Sequence, residues 1–112
     1  MKLFDEERFA LVFTLNSHFT NVDEILVNAD VLERNKTGVG FFTTVKLQYS
    51  APILRESPTY WERNFEHKNM PYGGCFMVYL IGSDTFEIEA VAYESNWPEP
   101  FIKEDFIDPV HG

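Results

Sequence analysis

The sequence predicts an α+β domain in which one N-terminal helix packs on an antiparallel sheet of about four to five strands. Three observations lead to this fold class. Residues 4–17 carry apolar side chains with the period of a helix. Residues 39–49 and 85–94 alternate between two sets of side chains, as strands do. Glycine-containing turns precede both alternating stretches, which is typical of hairpins.

The predicted N-terminal helix covers residues 4–17. Phe9, Val12 and Phe13 stand at positions i, i+3 and i+4 of one apolar stripe. Residues 5–7 are all acidic, and negative charge in the first turn suits the helix dipole. A short second helix is predicted at residues 22–27, although its apolar residues 25–27 suit a strand equally well.

The first predicted hairpin joins a strand at residues 29–35 to a strand at residues 39–49. The turn between them contains Asn35 and Gly38. In the second strand Phe41, Thr43 and Val45 are predicted to share one face, and the intervening residues the other.

The middle of the chain is less regular. Residues 50–58 contain two prolines and no clear period, which predicts a loop. In residues 59–67, Trp61 and Phe65 are four apart, as on a helix, but the same stretch also alternates. A strand is the preferred prediction there. Residues 68–74 hold Pro71 and two glycines, which predicts a connection.

The second predicted hairpin is the centre of the fold. Residues 75–81 are apolar without interruption, and they predict the most buried strand, covered on both faces. A turn at residues 82–84 leads to the strand at 85–94, whose Glu87 and Glu89 lie on the more solvent-exposed face. Apolar residues at 101–107 predict that the tail packs back on the domain.

Composition and charge narrow the class of protein. At 112 residues the chain is predicted to form a single domain, residues 1–112. A single cysteine excludes an internal disulfide, and the N-terminus lacks the pattern of a signal peptide, so a cytoplasmic protein is expected. The net charge of −9 disfavours binding to nucleic acids or membrane surfaces, because both are anionic.

The acidic residues are concentrated toward the C-terminus. Residues 84–112 hold eight acids and one base, and this excess predicts a surface that binds a basic protein. Tyr93 and Trp97 are candidate anchors within it, since both residue types are common in binding hot spots. The alternative interpretation of Trp97, that it closes the edge of the core, is the preferred one. The predicted partner-binding residues are Glu87, Glu89, Tyr93, Glu94, Trp97, Glu99, Glu104 and Asp105.

No motif in the chain predicts catalysis, a cofactor or a metal. Glu87 and Glu89 share a strand face at roughly 6.5–7 Å, a spacing that carboxylates of inverting glycosidases also use. A solvated face with a cross-strand base such as Lys46 is the preferred interpretation of this pair. Cys75, within its apolar run, is predicted to be a buried and unreactive thiol. The three histidines lack metal-ligand spacing.

Short motifs give the chain a resemblance to a family. These are Arg34-x3-Gly38-x-Gly40-Phe41, residues 73–76, residues 88–90 and residues 93–98 with Trp97-Pro98. The chain resembles a group of small, mostly uncharacterised bacterial proteins, from which it departs at Cys75 and at Ala90, where the group has glycine. Some members of the group resemble immunity proteins that neutralise secreted toxins. The resemblance therefore implies an α+β fold and no established enzymatic activity.

Two functional hypotheses follow. The first is a non-enzymatic acidic interaction protein of the immunity or antitoxin kind, which binds a basic toxin or nuclease. The second is a small-ligand-binding domain or minor enzyme with a pocket between helix and sheet. A continuous exposed acidic stripe is expected from the first, and a pocket lined by Arg34, Tyr60, Trp61 and Glu89 from the second.

Overall fold

The computed structural model describes residues 1–19, 21–48 and 59–109. The fold is α+β, with one antiparallel sheet of six strands in the described residues, in the order β1-β2-β5-β4-β3-β6. The predicted loop at residues 50–58 lies outside the described residues. The elements are α1 Asp5–Leu15, α2 Val22–Ile25, β1 Asp30–Lys36, β2 Gly40–Lys46, β3 Tyr60–His67, β4 Met70–Leu80, β5 Thr85–Ala92 and β6 Phe106–Ile107.

Helix α1 lies where it was predicted, but it ends at Leu15. The Glu7 carboxylate accepts the Phe4 backbone N–H at 2.7 Å, which satisfies one of the free donors of the first turn. Ala10, Leu11 and Leu15 are fully buried against the sheet. The second helix is also shorter than predicted, because only Val22–Ile25 is helical before the chain turns into β1.

Both predicted hairpins are present. β1 pairs with β2, and the connecting turn places Gly38 at φ +84°, a conformation that favours glycine. β4 pairs with β5 across a turn in which Gly82 has the same φ. β2 and β5 then pair antiparallel from Gly40↔Val91 to Lys46↔Thr85 and join the two hairpins into one sheet.

The ambiguous stretch is strand β3, as preferred from its alternation. The predicted connection at residues 68–74 is wrong, because β4 begins at Met70. Pro71 is tolerated there since β4 pairs with β5 only from Gly74 onward. Gly74 permits close packing, since a Cβ atom on it would lie 2.3 Å from the Val91 carbonyl oxygen.

The C-terminal tail packs back on the domain, as expected. A short 3-10 turn, Lys103–Asp105, leads into β6, which pairs with Glu66 and His67 of β3. This sixth strand was not predicted. Phe106 of β6 packs against Phe65 with ring centroids 4.9 Å apart, so the tail contributes to the core.

The sheet has two unlike faces. The covered face carries α1 and the core, in which Val78, Phe86 and Ile88 are fully buried. The opposite side, called the open face, carries no helix of the described part of the chain. Its side chains come from alternate positions of four strands: Phe42, Thr44 and Lys46 of β2; Glu87, Glu89 and Val91 of β5; Met77 and Tyr79 of β4; and Tyr60, Glu62 and Asn64 of β3.

The composition of β4 predicted that both of its faces would be covered. In the structure only one face is covered. Phe76 and Val78 are fully buried on the covered face, whereas Met77 and Tyr79 on the open face are only half-buried. Ile81 lies beyond the end of the strand and is 44% exposed. No helix in the described ranges is long and apolar enough to cross a membrane.

Candidate functional site

The open face combines carboxylates with large apolar side chains. Glu89 of β5 lies between Phe42 of β2 and Met77 of β4, and Glu87 lies between Thr44 and Tyr79. A sheet face that contacts only water normally carries polar residues. The open face differs, because Phe42, Met77 and Tyr79 on it are large, apolar and only half-buried. Such a mixture is typical of protein interfaces.

Glu87 and Glu89 share the open face with one basic side chain, Lys46. Lys46 lies opposite Thr85 and diagonal to Glu87, as expected for a cross-strand base. No salt bridge joins either glutamate to a residue that the structure describes. With Glu62 as a third carboxylate, acids outnumber bases on this face.

The β3 side of the open face extends this surface. Tyr60 packs on Tyr79 with ring centroids 4.8 Å apart. The Tyr60 hydroxyl donates to the Glu62 carboxylate at 2.7 Å, which together with burial raises the pKa of Tyr60 well above its ordinary value. Glu62 thus adds a third carboxylate to Glu87 and Glu89 on the same face.

Cys75 is a buried thiol beneath Tyr93. It lies between Val91 of β5 and Asn64 of β3, and the Tyr93 hydroxyl reaches across β4 to donate to Asn64 Oδ1 at 2.9 Å. The Cys75 residue is 4% exposed, and burial raises the pKa of its thiol. This supports the prediction of an unreactive cysteine.

The predicted acidic stripe is not continuous. Glu87, Glu89 and Tyr93 lie on the open face, and Glu94 follows in the turn after β5. Glu99 is distant from them, because it pairs with Lys36 at the end of β1 at 2.8 Å. Glu104 and Asp105 lie in the 3-10 turn before β6, at the opposite edge of the sheet.

Trp97 is part of the core and not an exposed anchor. It is 9% exposed and packs edge-on against Phe41 and Phe65 at 5.6 and 5.8 Å. Its indole N–H donates to Glu6 Oε2 at 2.8 Å. The alternative interpretation of Trp97, closure of the core edge, therefore agrees with the structure.

The pocket expected for a small ligand does not form from the predicted residues. Arg34 lies on the covered side, where its guanidinium holds both Glu7 carboxylate oxygens at 2.7–2.8 Å. Trp61 is buried on the covered face, whereas Tyr60 and Glu89 belong to the open face. The four side chains thus lie on two sides of the sheet.

Three other clefts border α1. A groove of about 690 Å³ has Phe9, Val12 and Phe13 of α1 in its wall, together with Arg63 of β3 and Asp108 of the tail. A second cleft, of about 640 Å³, lies at the start of α1 beside Lys36 and Glu99. A smaller cleft of about 240 Å³ lies between α1 and the β1–β2 hairpin, beside Glu6 and Trp97. Burial raises the pKa of Glu6 there.

The structure adds residues that the sequence interpretation missed. Glu62, Phe42, Met77 and Tyr79 belong to the open face, and none was among the predicted contact residues. The alternation of residues 59–67 already puts Glu62 on one strand face with Tyr60 and Asn64. What the sequence did not show was that this strand pairs with β4 and so extends the open face. Within the described residues, no group of three potential ligands lies close enough to hold a metal ion.

Comparisons with known proteins add no relative. No protein-family model matches the chain. No curated protein and no solved structure matches it significantly. The resemblance to small bacterial proteins therefore stays a prediction from the motifs around Gly38, Gly73 and Trp97.

Proposed function

We propose that the protein is a non-enzymatic acidic interaction protein that binds a basic protein partner on its open face. The observation that carries this proposal is the pair of carboxylates, Glu87 and Glu89, which form no salt bridge within the described ranges and lie among the half-buried Phe42, Met77 and Tyr79. Apolar area supplies contact, and the carboxylates speed encounter with a cationic surface and fix its position.

The charge of the open face also argues against self-association through it. In a two-fold dimer the same patch meets itself, so two acidic patches would be brought together. Like charges brought together at an interface cost several kcal/mol. A foreign basic surface has no such penalty, and this supports a heterologous partner.

The finer proposal is an immunity or antitoxin function, in which the bound partner is a basic toxin or nuclease whose active surface is blocked. It rests on the motifs shared with immunity-like proteins and on the negative open face. Catalysis by the Glu87–Glu89 pair is a weaker hypothesis, because a glycosidase needs a cleft around its carboxylates. None of the three clefts identified in the described residues is lined by either glutamate.

The ligand-binding alternative is also weaker. The cleft between α1 and the sheet measures about 240 Å³, whereas pockets for small ligands are typically about 300–1,000 Å³. Two larger clefts, of about 640 and 690 Å³, fall within that range, but none of the four residues predicted to line the pocket belongs to either of them.

The test uses two charge-reversal variants of equal charge change. Glu87→Lys/Glu89→Lys alters the open face, and Glu104→Lys/Asp105→Lys alters the β6 edge. Wild type is expected to capture one basic protein from extracts of its source cell and to inhibit that protein's activity in a purified assay. The open-face variant is expected to lose capture and inhibition, and the β6-edge variant to keep both. Equal capture by wild type and both variants at low salt would overturn the proposal.

A further inference from the structure

The outer edge of β3 is the most accessible sheet edge in the described residues. β6 pairs only with Glu66 and His67, so no strand of the described residues pairs with β3 from Tyr60 to Phe65 on that side, where the tail contributes only the Asp108 side chain to Arg63. The other edge strand, β1, is partly occupied, because the Val31 N–H donates to the Met1 carbonyl and Arg34 donates to the Lys2 carbonyl. An unpaired edge is a template for another strand.

The register shows which backbone groups of β3 face outward. The Leu80 N–H donates to the Thr59 carbonyl at 2.8 Å, so this directly opposed pair is hydrogen-bonded. Antiparallel pairs alternate, so Tyr60, Glu62 and Asn64 direct their N–H and C=O groups away from β4. Glu66 continues the same alternation and pairs with Ile107 of β6.

The end of β6 has a simple cause. The next bonded pair after Glu66↔Ile107 would join Asn64 to residue 109, and that residue is proline. Proline has no N–H to donate to the Asn64 carbonyl. The edge is therefore open beyond this point in the part of the chain that the structure describes.

We propose that the basic partner adds an extended segment to this edge as a strand antiparallel to β3. This inference rests on the proposed function and names the element by which the partner binds. Some residues of the added strand would lie opposite Tyr60, Glu62 and Asn64, with their side chains on the open-face side. Glu62 favours lysine or arginine there. The intervening residues would lie on the α1 side. There the Arg63 guanidinium is already bound by Asp108 and the Phe13 carbonyl, and apolar side chains fit the groove walled by Phe9, Val12 and Phe13.

A second copy of the chain fits this edge less well. Two β3 strands paired about a two-fold axis at Glu62 would place each Glu62 directly opposite the other. Like charges in that position destabilise the pair. Strand addition also explains how a partner gains affinity from main-chain hydrogen bonds while alternate side chains give specificity.

The first measurement is amide hydrogen exchange of the free protein by NMR. The Glu62 and Asn64 amides are expected to exchange much faster than those of Trp61 and Arg63, which bond to β4. Protected Glu62 and Asn64 amides in a monomer would mean that another part of the chain already occupies the edge. The same protection in a sedimenting dimer would mean that a second copy does. Either result overturns the proposal.

The second measurement is titration with the peptide acetyl-Lys-Val-Lys-Val-Lys-Val-amide. The backbone N–H and C=O groups of its lysines would bond to the β3 edge. Methylation of the lysine backbone nitrogens is therefore expected to weaken binding about tenfold or more. Methylation of the valine backbone nitrogens, whose N–H groups point away from β3, is the matched control and is expected to preserve binding. Binding is also expected to protect the Glu62 and Asn64 amides.

Variants of the protein complete the test. Glu62→Pro removes an outward N–H without breaking the bonds to β4, and it is expected to lower the peptide's affinity as strongly as N-methylation of the lysines. Glu62→Ala keeps the N–H and is expected to weaken binding by about fivefold at most. The peptide's failure to bind wild type, or equal binding of both N-methylated peptides, overturns strand addition. The open-face proposal fails separately, if Glu87→Lys/Glu89→Lys leaves partner capture unchanged.

Discussion

The two faces of the sheet differ although they are built from the same strands. Val78 and Ile88 on the covered face are fully buried, and their chain neighbours Met77 and Glu89 on the open face are only partly buried. One face is closed by α1 and by a cluster of aromatic rings around Phe76. The difference teaches that burial in the core and contact with solvent are separated by a single step along each strand. Substitutions at adjacent residues can therefore test it.

The largest expected effect is a charge placed on the covered face. Val78→Asp would bury an unpaired carboxylate at a cost of several kcal/mol, a large fraction of a domain's stability, and is expected to abolish folding. Met77→Asp, one residue earlier on the open face, is expected to cost about 1 kcal/mol. Thermal unfolding followed by circular dichroism measures both. A Val78→Asp protein that melts like wild type would contradict the assignment of faces.

A somewhat smaller effect is expected from the buried Glu7–Arg34 ion pair of the covered side. Glu7 is 2% exposed and bonds to Arg34, the Phe4 N–H and the Thr43 hydroxyl. Glu7→Ala leaves Arg34 without its partner and is expected to cost about 3 kcal/mol. Glu87→Ala on the open face, where no partner is lost, is expected to change stability by about 0.5 kcal/mol or less. Urea unfolding at neutral pH gives both values.

The Glu7 pair also has a defined pH dependence. Burial alone would raise the pKa of Glu7, but the hydrogen bonds from Arg34, Phe4 and Thr43 together lower it below its ordinary value of 4.5. The folded state thus favours the charged carboxylate. Its contribution is complete above pH 4.5 and is lost as pH falls through the lowered pKa. The stability difference between wild type and Glu7→Ala is expected to shrink in acid, and a constant difference would contradict this account.

Much of the covered face could be predicted from the sequence, because burial there follows local periodicity. The alternation of Phe86, Ile88 and Ala90 identified the buried side of β5 correctly. The early start of β4 could not be predicted from Pro71 and the two glycines, since those residues usually mark loops. Gly74 is required by the approach of the Val91 carbonyl, a contact between strands that local sequence does not reveal.

The candidate site was less predictable, because it depends on how distant segments are arranged. Counting acids along residues 84–112 grouped Glu87 with Glu104, yet the fold places them on different parts of the sheet. Glu62 lies outside that stretch and was missed, although β4 alone separates its strand from that of Glu89. Strand β6 has only two residues, which is too short for any period.

His67 lies at the edge of the covered face, where β3 pairs with β6, and it gives a second pH-dependent prediction. The imidazole is buried against Phe106 at 4.6 Å, and burial lowers the pKa of His67 below 6.5, with Asp105 acting in the opposite direction. The unfolded chain therefore takes up this proton first as pH falls. Stability from His67 is complete above pH 6.5 and decreases below it. His67→Gln is expected to flatten the dependence of urea unfolding between pH 7.5 and 5.5; an unchanged slope would contradict the account.

A small change in stability is expected at Tyr93, which covers Cys75 on the otherwise open face. Tyr93→Ala removes a partly exposed ring and is expected to cost about 1 kcal/mol. Its effect on the thiol is expected to be large, since Tyr93 crosses β4 above Cys75 to reach Asn64. In wild type a thiol reagent should label Cys75 only after denaturant is added, whereas the native Tyr93→Ala protein should react directly.

Tyr93→Phe separates the ring from its hydroxyl. It keeps the cover but loses the bond to Asn64, so Cys75 is expected to stay protected. Rapid labelling of native wild type near neutral pH would show an accessible or activated thiolate and would contradict burial as the cause of its raised pKa. Slow labelling of all three proteins would place the cover elsewhere than Tyr93. The open face would then be closed over Cys75 by the strands themselves, and Tyr93 would be free to contact a partner.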